Sequence, residues 1–199
     1  MSHKAVHDKN PFLYIQMILQ NGENVNPNIR KMFAYTTDTE TVILSERYKM
    51  TISYKRLTEK EIDIFITMRI AQLREEGAKE DIDLVPYLQD YYKRHMEDGT
   101  FVSWLAFDGD KIIGTSGMSF VEKPPYFGCP SGKIGLISSM YTNPNYRRLG
   151  IAKELLDRVV NEAREYGCGT VQITASDMGV KLYSAYGFEH NKNFMHYKL

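Results

Sequence analysis

The run Arg147-Arg148-Leu149-Gly150-Ile151-Ala152 has the residue types of an anion cradle. It opens a segment whose apolar residues Ile151, Leu155, Leu156, Val159, Val160 and Ala163 fall on one helical face, with Gly167 placed to stop it. A helix starting there aims unpaired backbone N–H groups and the positive end of its dipole at one point, which suits a diphosphate. Gly150 lets the chain come close to phosphates, small Ala152 keeps the first turn open, and Arg147 and Arg148 add charge at the rim. The same residues also fit a basic turn feeding a core helix, and six residues alone do not separate the two. Neither G-x-x-x-x-G-K-[ST] nor G-x-G-x-x-G occurs, which argues against nucleotide hydrolysis and dinucleotide binding.

The elements that would position this run follow from periodicity. Thr51 to Arg56 alternates as a strand, and Thr58-Glu59-Lys60-Glu61 has capping-box spacing. A helix follows, with Ile62, Phe65, Ile66, Ile70 and Leu73 at three- and four-residue steps and Gly77 just past its end. A second helix is expected over Leu84 to Met96, with Pro86 in its first turn. Phe101 to Phe107 and Lys111 to Val121 read as strands joined at Asp108-Gly109-Asp110, a hairpin turn. The Pro- and Gly-rich stretch 123–132 is a loop, and Lys133 to Thr142 is the next strand. Beyond the central helix come a strand over Thr170 to Ala175, a short helix carrying Val180, Leu182 and Tyr183, and a last strand over Asn193 to Lys198. Residues 1–49 stand apart as an N-terminal extension: an apolar stretch over Phe12 to Leu19, an Asn-rich turn, and Thr41 to Leu44 as a strand. So short a segment rarely supports a core of its own, which favours packing or contacts over an independent activity.

Composition bounds the partners. The 199 residues are 43% apolar and 25% charged, which fits one soluble domain with an appended segment. Twenty-five basic residues balance 25 acidic ones, so net charge makes no case for nucleic acid or a membrane surface. The apolar run Phe12 to Leu19 is too short for a bilayer span and lacks a signal-peptide cleavage site. The two cysteines, Cys129 and Cys168, have neither disulfide-scaffold density nor zinc spacing and suit a reducing cytoplasm; His95 has no second ligand at usable spacing, so no metal is expected.

The stretch Met140 to Leu156, Met-Tyr-Thr-Asn-Pro-Asn-Tyr-Arg-Arg-Leu-Gly-Ile-Ala-Lys-Glu-Leu-Leu, resembles the central acetyl-coenzyme A motif of the GNAT N-acetyltransferase family. The flanking strands and Leu182-Tyr183-Ser184-Ala185-Tyr186-Gly187-Phe188 stand in that family's order, and the resemblance covers about residues 51–199. It implies an α/β (α+β) fold in which helices flank a mixed, mostly antiparallel central sheet. The fourth and fifth strands, Lys133 to Thr142 and Thr170 to Ala175, would run parallel and splay apart to admit an acyl-coenzyme A. It also implies an N-acetyltransferase acting by direct attack of a primary amine on acetyl-coenzyme A, the cosubstrate, and it allows a homodimer. A small-molecule amine leads; a protein lysine or N-terminal acceptor, and a sensing module without chemistry, stay open.

Within the resemblance, backbone groups of Met140, Tyr141 and Thr142 meet the pantetheine arm, and residues Arg147, Arg148, Leu149, Gly150, Ile151 and Ala152 hold the diphosphate. The Met140 backbone N–H takes the oxyanion role, and Tyr183 stands near the sulfur as general acid, a phenol being reliably protonated at neutral pH. Core packing is the other reading of Tyr183. Ser176 occupies the place of an asparagine that bonds the arm, although helix capping suits it equally. No base is evident: the strand Lys133 to Thr142 has Ser138 and Ser139 where some relatives carry a glutamate. Glu122 and Asp177 could act through water, or be a solvated strand end and a helix N-cap. The acceptor is expected between the two N-terminal helices and the loop 123–132. Arg74, Glu75 and Glu76 either reach it or are a solvated charge run at a helix end, and Tyr87, Tyr91, Tyr92 and Trp104 form either an aromatic wall or core.

Overall fold

A computed structural model describes residues 52–190 together with Met195 and Tyr197. The expected apolar stretch Phe12 to Leu19, the strand Thr41 to Leu44 and the terminal strand Asn193 to Lys198 lie outside the described residues.

Strand β1 (Ile52–Arg56) runs into a single 3-10 turn at Glu59–Glu61, where the Thr58 N–H donates to the Glu61 carboxylate at 3.1 Å as the capping box requires. Helices α1 (Ile62–Glu75) and α2 (Val85–Glu97) follow, the latter with Pro86 in its first turn. Next come β2 (Phe101–Val102), β3 (Trp104–Asp108), β4 (Lys111–Glu122) and β5 (Lys133–Thr142). Helix α3 (Ile151–Tyr166) ends at Gly167 in the left-handed conformation, and β6 (Thr170–Gln172) and α4 (Asp177–Tyr186) close the described chain.

The sheet has the order β1-β3-β4-β5-β6, with β2 also on β4; every pairing is antiparallel except β5 with β6. Alternate residues of β3 sort the two faces. Leu105 and Phe107 join Phe65, Ile66, Tyr92 and Phe101 under α1 and α2, while Ala106 joins Ile113, Ile151 and Leu155 under α3. The fully buried Leu155, Leu156 and Val159 are the helical face read from the sequence. No helix among the described residues is long and apolar enough to cross a membrane.

Two expected strands are interrupted. Phe101 to Phe107 breaks at Ser103 because hydroxyls enter the ladder. The Ser103 hydroxyl donates to the Ser116 carbonyl, and Ser116 Oγ both accepts from the Trp104 N–H at 3.3 Å and donates to its carbonyl at 3.1 Å. Thr170 to Ala175 is strand only as far as Gln172, where its partner ladder stops.

Candidate functional site

Strand β5 changes character along its length. Ile134, Gly135 and Leu136 pair in parallel with Thr170, Val171 and Gln172, and that ladder then ends, while β5 continues to Thr142 paired with β4 alone. The β4 register slips where Thr115 faces Tyr141 but Gly117 faces Ser138, a bulge with Ser139 at φ +52°. Past the bulge, the Asn143 N–H donates to Ile113 O at 2.9 Å, which turns the peptide groups of Tyr141 and Asn143 toward β4. Strand alternation then puts the N–H and C=O of Met140 and Thr142 on the opposite edge, the one β6 has left. A parallel pair opened in this way offers main-chain donors and acceptors to an extended ligand arm.

The front of α3 packs on the sheet face over β4, the strand that pairs with the end of β5. Gly114 on β4 makes the approach close: a Cβ there would lie 3.1 Å from Ile151 Cγ2 and 3.2 Å from Leu155 Cδ1. Ile151 is thus an anchor, 1% exposed, rather than a side chain available to a ligand. Gly150 is the N-cap at φ +81°, and the first intrahelical bond runs from the Glu154 N–H to Gly150 O at 3.1 Å, leaving the preceding N–H groups outside the helical ladder. Leu149 and Gly150 are exposed, and a Cβ on Gly150 would meet nothing within 4 Å. Half-buried Ala152 and exposed Arg148, itself at φ +66°, flank this exposed turn.

Arg147 is held in place by its neighbours. Its Nε donates to Thr142 O at 3.0 Å, its Nη2 pairs with Glu75 at 2.7 Å, and its guanidinium lies 5.8 Å from the Tyr141 ring centre. Arg147 in turn keeps the Glu75 carboxyl below the ordinary carboxylate range. Arg147 Nη1 also lies 3.6 Å from Met178 Sδ, so the end of α1, the end of β5 and the start of α4 converge on one side chain. Nothing in the local pattern around residue 75 or residue 147 signals this link, because the two are far apart in the chain.

On α4, Tyr183 is 6% exposed and shares a buried cluster with Ile137, Leu156, Val159 and Val160, with its ring edge-on to Phe188 at 5.7 Å. Gly179 makes room for it, since a Cβ there would fall 2.8 Å from the tyrosine ring. Burial, with a smaller contribution from the Glu76 carboxylate, pushes the phenol up to about 12. The side chain is therefore packed, as one reading of it had it, and its phenol stays protonated at neutral pH. Ser176 is the N-cap of α4 at φ −71°, accepting from the Gly179 N–H through its carbonyl at 2.9 Å, but its hydroxyl makes no capping bond. Asp177 is the first helical residue and not the cap. Glu122 is an exposed strand end.

The aromatic residues of the expected acceptor side do not form one wall. Trp104 packs under α3, donating from Nε1 to Glu162 at 2.8 Å. Tyr92 is core, Tyr91 shares a 2.9 Å hydrogen bond with Ser119, and Tyr87 is 67% exposed. His95 lies 2.6 Å from the Thr100 hydroxyl, and no cluster of His, Cys, Asp and Glu among the described residues could hold a metal.

The model of the Acetyltransferase (GNAT) family matches residues 65–188. A predicted acetyltransferase from Clostridium acetobutylicum, crystallised with acetyl-CoA, is 32% identical with a TM-score of 0.72, over 74% of this chain and 96% of that one. The GCN5-related N-acetyltransferase from Ralstonia eutropha JMP134 shares the fold at 23% identity and a TM-score of 0.67, over 74% of this chain and 99% of its own. Among curated relatives, the uncharacterized N-acetyltransferase YsnE of Bacillus subtilis is 26% identical over 47% of this chain, and N-acetyltransferase 8B of Rattus norvegicus 31% identical over 51%. The matches span 60% and 46% of those two proteins. The opened strand pair, the front of α3 and the family match over residues 65–188 together establish that the chain belongs to the Acetyltransferase (GNAT) family.

Proposed function

We propose that the protein is an acetyl-coenzyme A-dependent N-acetyltransferase that transfers the acetyl group to the primary amine of a small molecule. The observation that carries this reading is the edge of β5 left unpaired by β6 beyond Leu136, with the Thr142 carbonyl at its end tied by Arg147 to the exposed turn that opens α3. The pantetheine arm would add along Met140, Tyr141 and Thr142, and the diphosphate would sit on the N–H groups at the front of α3, with Arg147, Arg148, Leu149 and Gly150 at its rim. Ser176, the N-cap of α4, has a hydroxyl with no capping duty and would be the side chain that bonds the arm.

The amine nitrogen attacks the thioester carbonyl, so a C–N bond forms and the C–S bond breaks. The Met140 N–H supports the oxyanion of the tetrahedral intermediate. Tyr183 supplies a proton to the departing sulfur, and the amine proton leaves through solvent or a water-linked carboxylate. A phenol held near 12 is a weak acid, so its contribution is to keep a donor in place at every working pH.

An acceptor screen tests the proposal. Free thiol released from acetyl-coenzyme A is followed with small amines, lysine peptides and peptides with free N-termini. A small amine is expected to give the highest kcat/KM; a peptide in first place would move the assignment to protein acetylation, and no release from any acceptor would favour sensing. We assign the activity to residues 50–199, so a chain starting at Met50 should retain it.

A further inference from the structure

The bulge in β5 lies among buried hydroxyls. Ser103, Thr115, Ser116 and Ser139 are at most 2% exposed, and all lie at the level where β5 slips against β4. Thr115 Oγ1 donates to Ser139 O at 2.8 Å. The Tyr92 hydroxyl, on a side chain 3% exposed, reaches from α2 to within 3.3 Å of Ser139 Oγ, a long hydrogen bond. Ser139 itself is held at φ +52°, a conformation that a non-glycine residue adopts only under strain. A strained residue persists only where its surroundings over-determine it, and here one contact grips its carbonyl and another its side chain.

We infer that Thr115 and Tyr92 are positioning residues: they clamp Ser139 in its left-handed turn and thereby aim the next amide, that of Met140, at the reacting carbonyl. Both are buried, Thr115 on β4 and Tyr92 in the core beneath α2, so they would act on the reaction through Ser139. The clamp rests on the oxyanion role proposed above for Met140. It also explains why serine stands where glycine would be less strained, since glycine would leave the Tyr92 hydroxyl without its partner.

The probe is acetyl-coenzyme A with water as acceptor, so that no amine need be known. Water attacks the carbonyl, the C–S bond breaks, and acetate and free thiol form. Thr115→Val, equal in volume but without the hydroxyl, is expected to lower kcat for thiol release about tenfold, with KM for acetyl-coenzyme A within about threefold. Tyr92→Phe should lower kcat about threefold, and Thr115→Ser, which keeps the donor, should recover most of the rate. Ser139→Gly relieves the backbone strain but leaves the Tyr92 hydroxyl unpartnered, so it should lose turnover while circular dichroism shows the fold kept. In parallel, the three-bond HN–Hα coupling and carbon shifts of Ser139 report its φ without any substrate, and in Thr115→Val they should move away from left-handed values. Unchanged kcat in Thr115→Val, equal losses in Thr115→Ser and Thr115→Val, or a Ser139 φ indifferent to Thr115 would each overturn the clamp. If the parent neither binds nor hydrolyses acetyl-coenzyme A, the proposed function fails instead, and the Ser139 couplings still decide whether Thr115 sets the turn.

Discussion

The first and second halves of β5 share one strand and differ in what lies along their outer edge. From Lys133 to Leu136 the strand is paired on both sides and packed tightly, with Met118 Sδ 2.7 Å from where a Cβ on Gly135 would be. From Ile137 to Thr142 it keeps only β4, carries the bulge at Ser139, and gives its Thr142 carbonyl to Arg147. The closed half holds α3 and β6 in register, and the open half withholds a ladder that a ligand arm can complete. A sheet can thus be stable and still present unpaired main chain, provided the opening begins where the packing is best satisfied.

The largest effect should come from the open half. Tyr183→Phe is expected to lower kcat by about a hundredfold or more, with KM for acetyl-coenzyme A little changed, as steady-state thiol release would show. A loss below threefold would reduce Tyr183 to packing and remove chemistry from that side of the comparison.

The same residue carries an alkaline signature. Its phenol is at about 12 in the folded chain against 10 when unfolded, so the folded state binds more protons across that window. Its contribution is fully present below pH 10 and is lost as pH rises toward 12, about 3 kcal/mol over two pH units. Urea midpoints between pH 9 and 11 should fall less steeply in Tyr183→Phe than in the parent.

Gly150→Val sharpens the contrast from the ligand side. A branched side chain at φ +81° disturbs the front of α3, and calorimetry should show acetyl-coenzyme A binding weakened about thirtyfold. Gly135→Ala does the reverse on the closed half. Overpacking against Met118 should remove about 1–3 kcal/mol of stability by urea unfolding, with acetyl-coenzyme A affinity unchanged within about twofold. If Gly135→Ala weakened binding as much as Gly150→Val, the two halves would not be separate in function.

What the sequence disclosed was local. The amphipathic stripe of α3, its Gly150 and Gly167 ends, the Asp108-Gly109-Asp110 hairpin and the strand Lys133 to Thr142 are written in spacing within a few residues. The helix start at Gly150-Ile151 within the run 147–152 was legible for the same reason. The break at Ser103, the early end of β6 and the Arg147–Glu75 pair depend on partners distant in the chain, which periodicity does not encode. The bulge was invisible because Ser138-Ser139 reads as ordinary strand; only Thr115 and Tyr92, brought in from two other elements, make it a turn. Tyr183 came from resemblance, and its burial and raised proton affinity came from packing on α3.

The most direct test of the open edge is a titration of the isotope-labelled protein with acetyl-coenzyme A, followed through its backbone amide resonances. The account requires saturable shifts that are largest at Met140, Thr142 and the N–H groups of residues 150–153, with Ile134 to Leu136 nearly still. No saturable shifts, or shifts centred on the closed half of β5, would contradict it.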